Sequence, residues 1–223
     1  MRKLLIAAAA LAVVAALMLL MTRRQAPPPA LPPSVEAPAE IPLEPPAVPT
    51  PPPRPQAAAP RLRFPATYDK SIKAAAANWL PGLPWQLWKA QLFQESKLNP
   101  DVVSHAGAAG IAQFMPRTWD EVTRELGLGA IDRRLAEPAI AAGAYYMMKM
   151  RRVWAALSDF GRHDHAMASY NAGAGNIRKA WQRCSTPDEW TATAACLPSV
   201  TGRYAAETTT YVQRIWRWYW AML

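Results

Sequence analysis

The chain of 223 residues holds three histidines and two cysteines. None of His105, His163 and His165 stands in a nucleophile-elbow context, which leaves a Ser-His-Asp hydrolase without support. His163 and His165 flank Asp164 and, two apart, would point to different helix faces, so both are expected on the solvated surface. Neither Cys184 nor Cys196 has a histidine or another cysteine at ligand spacing, so no zinc site is expected, and no other metal or cofactor. Stretches that alternate apolar and polar residues are nearly absent, which disfavours a sheet. The small-residue loop 104–110 has no Lys-Ser/Thr after it and no strand before it, which excludes a phosphate loop. Acidic residues are few, 16 against 25 basic, for a net charge of +9. Such a chain is drawn to polyanions, but its basic residues are scattered, with no basic stripe interleaved with aromatics, and nucleic acid is not the expected partner.

What is present begins with 18 consecutive apolar residues at 4–21, between Arg2-Lys3 and Thr22-Arg23-Arg24. At about 1.5 Å per residue this run is long enough to cross a bilayer core of about 30 Å. It ends in Leu-Met-Leu-Leu-Met before a basic pair, without a small-x-small cleavage site, so an uncleaved anchor over 1–24 is expected. Residues 25–60 contain 15 prolines and no amphipathic period. Such a segment buries no core and is expected as a disordered, extended polyproline spacer of about 3.1 Å per residue. The globular part, 61–223, carries 20 Lys/Arg against 13 Asp/Glu. Its two cysteines close a short loop-like stretch; beyond a membrane they read as a disulfide, the alternative being two reduced, partly buried thiols.

Apolar residues recur at helical spacing through 61–223, which predicts an all-α domain. Helices are expected over about 84–96, 116–126, 137–157, 163–170, 176–182 and 207–222. Pro84 suits the first turn of the first, and Asn99-Pro100 follows its end. Tyr211, Val212, Ile215, Trp216, Trp218, Tyr219 and Trp220 in the last are read as core contacts in preference to a sugar platform or a membrane-interface belt.

Glu95 falls in the last turn of helix 84–96. A carboxyl held in apolar surroundings keeps its proton to higher pH and can act as a general acid. The uncharged polar residues that follow suit a hydroxyl- and amide-rich substrate. By itself, a single glutamate at a helix end reads as solvated.

Four segments alter that reading: Glu95-Ser-Lys-Leu-Asn-Pro100; Ser104-His-Ala-Gly-Ala-Ala-Gly-Ile-Ala-Gln-Phe-Met-Pro-Arg-Thr118; Ser169-Tyr-Asn-Ala-Gly173; and Glu207-Thr-Thr-Thr-Tyr-Val212. In this order they resemble the motifs of the soluble lytic transglycosylases, relatives of goose-type lysozymes. The resemblance implies a lysozyme-like helical catalytic domain and glycan strands of peptidoglycan as substrate. By motif, Glu95 matches the acid/base. Ser104, Gln113, Met115, Tyr170, Asn171, Glu207 and Tyr211 match residues that line or order the glycan cleft. Ser169 replaces the family's usual alanine, the segment Leu-Ala-Glu-Pro-Ala-Ile-Ala-Ala-Gly departs from its pattern, and the stretch from Cys184 to Cys196 has no counterpart motif.

The implied reaction cuts the β-1,4 bond between N-acetylmuramic acid and N-acetylglucosamine and leaves a 1,6-anhydro end. Two-carboxylate glycosidases need a second acid across the bond, and Glu207 is the one motif-level candidate. Two alternatives stay open at this point: a hydrolytic muramidase, and a non-catalytic wall-binding component of a secretion, conjugation or phage machine. With the anchor at 4–21, the expectation is a single-pass inner-membrane protein with its catalytic domain in the periplasm.

Overall fold

The structure is a computed structural model and describes residues 64–223. The expected anchor at 4–21 and the spacer at 25–60 lie outside the described residues. Among those described, no helix is long and apolar enough to cross a membrane.

Nine α-helices and one 3₁₀ turn make up the described part: α1 Asp69–Trp79, α2 Trp85–Ser96, α3 Pro116–Glu125, α4 Ala136–Val153, α5 Asp159–Ala172, α6 Ala174–Arg183, α7 Trp190–Cys196, α8 Pro198–Thr201, the turn Gly202–Tyr204 and α9 Ala205–Met222. Extended pairing among these residues is confined to the isolated bridges Val103–Ala109 and Ala109–Phe114. The all-α expectation therefore holds.

Helix α2 is buried nearly all round, with Leu87, Trp88, Ala90, Gln91, Leu92 and Ser96 inside. A helix without an exposed face belongs at the centre of a fold, and α2 packs against both α1 and α9. Even Lys89 is buried, its ammonium 2.6 Å from Asp69 of α1 and over the Trp85 ring. The Trp88 ring of α2 reaches α4 where Gly143 presents no side chain: a Cβ there would sit 2.8 Å from the ring. Helix α9 buries Tyr211, Val212, Ile215 and Tyr219 along one stripe. Trp216, Trp218 and Trp220 are half-buried against the same core.

Sequence periodicity gave no signal for α1 or α7. The buried face of α1 is Ile72, Ala75 and Ala76, and alanines carry little amphipathic contrast. Helix α7 lies inside the stretch expected as a loop; Trp190 and Thr193 point inward, and the Cys184–Cys196 disulfide, with Cα atoms 5.8 Å apart, closes the segment.

One expectation is corrected outright. His163 and His165 are not solvated: they are 4% and 0% exposed. They do occupy different faces of α5, but α4, α6, α7 and α9 surround that helix, so both faces are interior. His165 bridges Gly161 O at 2.6 Å and Thr193 Oγ1 at 2.7 Å. His163 stacks edge-on to Trp216 at 6.3 Å, and neither of its ring nitrogens has a hydrogen-bond partner.

Candidate active site

Helix α2 ends because Lys97 and Leu98 both adopt positive φ, 59° and 63°, and the Lys97 N–H closes back on Phe93 O. Glu95 is thereby left in the last turn, facing α9. Its carboxyl accepts a hydrogen bond from the Tyr211 hydroxyl. The residue as a whole is half-buried, but its carboxyl is enclosed closely enough that burial pushes its pKa to about 8, with the Tyr211 hydrogen bond opposing the rise. At neutral pH Glu95 is a protonated acid. Burial and the neighbouring Glu95 in turn push the Tyr211 and Tyr170 phenols well above their usual range, so both stay neutral donors.

The small-residue loop after α2 is held by its own backbone and polar side chains. Ser96 Oγ donates to Ile111 O at 2.9 Å, pinning the loop to the helix end. Gly110 has φ +83° and passes so close to the 133–134 backbone that a Cβ would lie 2.1 Å from Arg133 O. Glycine is obligatory there on both counts. Gln113, at φ 48°, donates through Nε2 to Val102 O at 3.0 Å and Gly110 O at 2.9 Å. Ser104 Oγ accepts from the Ala108 N–H at 3.0 Å. Met115 precedes α3 and is 43% exposed.

Tyr170, at the end of α5, donates its hydroxyl to Ala112 O at 2.9 Å, so it ties α5 to that loop, with its ring edge-on to Tyr146. Asn171 is exposed, and its Oδ1 accepts from Thr208 Oγ1 at 2.7 Å. Glu207 lies in the exposed first turn of α9.

Glu95, Asn171, Glu207 and Tyr211 line one polar cavity of about 500 Å3. Tyr170 is outside that lining, as are Ser104, Gln113 and Met115 on the α2–α3 connection. Sequence reasoning missed Gln94, Thr210 and Arg214 in the same wall. A signal was there: Glu207, Thr210, Tyr211 and Arg214 are spaced i, i+3, i+4, i+7 and share one face of α9. Among the described residues no group of three or more His, Cys, Asp or Glu is placed to hold a metal ion.

The described residues thus form an all-helical domain with a neutral, enclosed glutamate at the end of its central helix. The chain belongs to the transglycosylase SLT domain family, whose model matches residues 72–193. It is 32% identical over 154 residues to the membrane-bound lytic murein transglycosylase F of Desulfosudis oleivorans, covering 62% of this chain and 33% of that protein. Among solved structures it resembles the 70 kDa soluble lytic transglycosylase SLT70 of Escherichia coli (TM-score 0.57, 25% identity, 71% of this chain and 24% of that one). It also resembles an inactive mutant of the lytic transglycosylase Slt of Pseudomonas aeruginosa (TM-score 0.58, 25% identity, 70% of this chain and 24% of that one). The chain thus spans about a third of the curated relative's length and about a quarter of the solved chains'.

Proposed function

We propose that the protein is a peptidoglycan lytic transglycosylase that cuts the β-1,4 bond between N-acetylmuramic acid and N-acetylglucosamine. The observation that carries this reading is the Glu95 carboxyl on the cavity wall, held by Tyr211 and protonated up to a pH of about 8. A general acid performs best when its pKa lies near the working pH.

In the proposed reaction Glu95 gives its proton to the glycosidic oxygen as the bond to the muramyl C1 breaks. The carbonyl oxygen of that sugar's own 2-acetamido group closes on C1 and holds the positive charge. Glu95, now a carboxylate, takes the proton of the muramyl 6-hydroxyl; the oxygen bonds to C1 and displaces the acetamido oxygen. Glu95 is reprotonated, no water is consumed, and the product carries a 1,6-anhydro bridge. Glu207 lines the cavity but is exposed, and substrate assistance leaves no nucleophile for it to supply. Tyr211 orients the acid. Asn171 and Glu207 would contact the sugars directly, and Ser104, Gln113, Met115 and Tyr170 would shape the flanks of the cleft.

The domain plan proposed with this activity is an anchor over 1–24, a proline-rich spacer over 25–60 and the catalytic domain over 61–223. The anchor would cross the inner membrane once and place the enzyme in the periplasm, where wall and oxidising conditions for the Cys184–Cys196 bond coincide. The Desulfosudis relative is named a membrane-bound enzyme, which supports membrane association. Such a tethered enzyme would also suit a secretion, conjugation or phage machine that needs a local opening in the wall.

The deciding measurement is the mass of the muropeptides released from purified sacculi. Anhydro ends are expected. Products one water heavier would make the protein a hydrolytic muramidase, and no release with retained binding would make it a wall-binding component.

A further inference from the structure

Beyond the acid lies a feature the reaction does not use. Arg214 stands in the wall of the Glu95 cavity, one turn past Tyr211 on the same face of α9. Lys97, two residues after Glu95, lays its chain over the neighbouring aromatics, its ammonium 4.5 Å from the Phe93 centroid and 4.8 Å from that of Trp218. The Trp218 indole N–H is bonded at 2.9 Å to Gln94, itself in the cavity wall. Burial lowers the Lys97 pKa, and the charge of Arg214 lowers it further.

Both residues are exposed, and among the described residues neither forms an ion pair. The two acids of the cavity do not neutralise them. Glu95 is protonated at neutral pH. Glu207 is seven residues from Arg214 on one helix, roughly 10 Å along its axis at 1.5 Å per residue. The cavity wall thus carries an exposed acid, a neutral proton donor and an arginine without an ion pair, while Lys97 lies outside that lining, over the neighbouring Trp218 ring.

We infer that Arg214 and Lys97 form a carboxylate-reading subsite beside Glu95, which takes an acidic group carried by the glycan strand and so sets which strands are cut. The inference rests on the reading of this cavity as a glycan cleft. Peptidoglycan offers one chemistry from two sources: carboxylates of the peptide stems, and lactyl carboxylates freed where stems have been removed. Arg214 supplies a planar fork of donors and Lys97 a point charge fixed by its stacking, a combination that suits a carboxylate better than a neutral sugar hydroxyl.

The test uses the full chain and four substrates: strands bearing stems, strands stripped by an amidase, and each of these with its carboxylates converted to amides by carbodiimide and ammonia. Wild-type protein is expected to prefer one free-acid form over its blocked counterpart by about ten-fold in kcat/KM, mainly through KM, as one charge-assisted contact supplies. Which pair shows the preference identifies the source. In the double variant Lys97→Gln/Arg214→Gln the preference should vanish, and Arg214→Lys should restore part of it to Arg214→Gln. Equal handling of free and blocked strands by the wild type, or an equal loss on both in the double variant, overturns the inference. The same ratio read as Kd on the Glu95→Gln protein keeps the two questions apart. A carboxylate preference there upholds the subsite even if cleavage follows another chemistry, and its absence defeats the subsite even if anhydro products form.

Discussion

The Tyr211 hydroxyl of the last helix donates a hydrogen bond to Oε1 of Glu95, at the end of the central helix and 116 residues earlier in the chain. The contact fixes one of the two carboxyl oxygens of a residue that lines the cavity. It also pulls against burial: enclosure raises the Glu95 pKa, and this hydrogen bond lowers it. The proton is therefore held strongly enough to be present at neutral pH and weakly enough to be given up.

Tyr211→Phe separates those two roles. Without the hydroxyl the depressing contribution is gone, so the Glu95 pKa moves above about 8 and the alkaline limb of kcat/KM shifts to higher pH. The plateau should fall by about ten- to a hundred-fold, the scale of one hydrogen bond to a reacting group. A pH profile of strand cleavage reads both, and an alkaline limb that stays in place or moves to lower pH would show that Tyr211 does not act on the Glu95 proton.

Glu95→Gln should lower cleavage on the order of a hundred- to ten-thousand-fold, the range of a general acid. Its effect on stability has the opposite sign. Wild-type Glu95 keeps its proton in the folded state to about pH 8 but loses it near pH 4.5 when unfolded. Between those values the folded state binds more protons, so folding weakens as pH rises. Glutamine carries no such penalty, and the Tm of Glu95→Gln should exceed that of the wild type by more at pH 8 than at pH 5. An equal offset at both pH values would mean that Glu95 does not bear the burial ascribed to it.

How much of this was legible in the sequence depends on how each residue acts. The helices with apolar stripes broad enough to count, such as α2 and α9, were readable from periodicity. Helix α1 was not, because its inward face is Ile72 with two alanines. Glu95 was readable through its motif but not through its spacing, since enclosure of a carboxyl depends on α9 folding back over it. Arg214 was visible as the fourth member of an i, i+3, i+4, i+7 row, but only the cavity shows that this row has a function. His163 was misread because a two-residue step tells which faces are used, not whether both are covered.

The Cys184–Cys196 disulfide closes a loop with a sequence separation of 12 and clamps α7 beneath the α6 end. Loop-closure entropy for that span corresponds to about 3 kcal/mol. Reduction, or Cys184→Ser with Cys196→Ser, should lower the denaturant midpoint. A midpoint that stays put would mean that the segment is held by Trp190 and Thr193 packing alone.

His163 makes a prediction about acid. Burial, helped by the charge of Arg151, drops its pKa to about 3, while an unfolded histidine titrates near 6.5. Between those values the unfolded state binds more protons, so this residue's contribution is complete above pH 6.5 and is lost as pH falls toward 3. Asp164 beside it works the other way. Burial raises its carboxyl to about 6 against the Trp216 hydrogen bond, so it favours the folded state as pH falls through that value. The two offset each other in the wild type, and only a variant separates them. His163→Leu removes no hydrogen bond, because neither ring nitrogen has a partner. It should change stability little at pH 7.5 and leave the protein more resistant than wild type at pH 4. Thermal melts at the two pH values decide it: a variant that loses stability with acid as steeply as the wild type would show that His163 is already protonated in the fold.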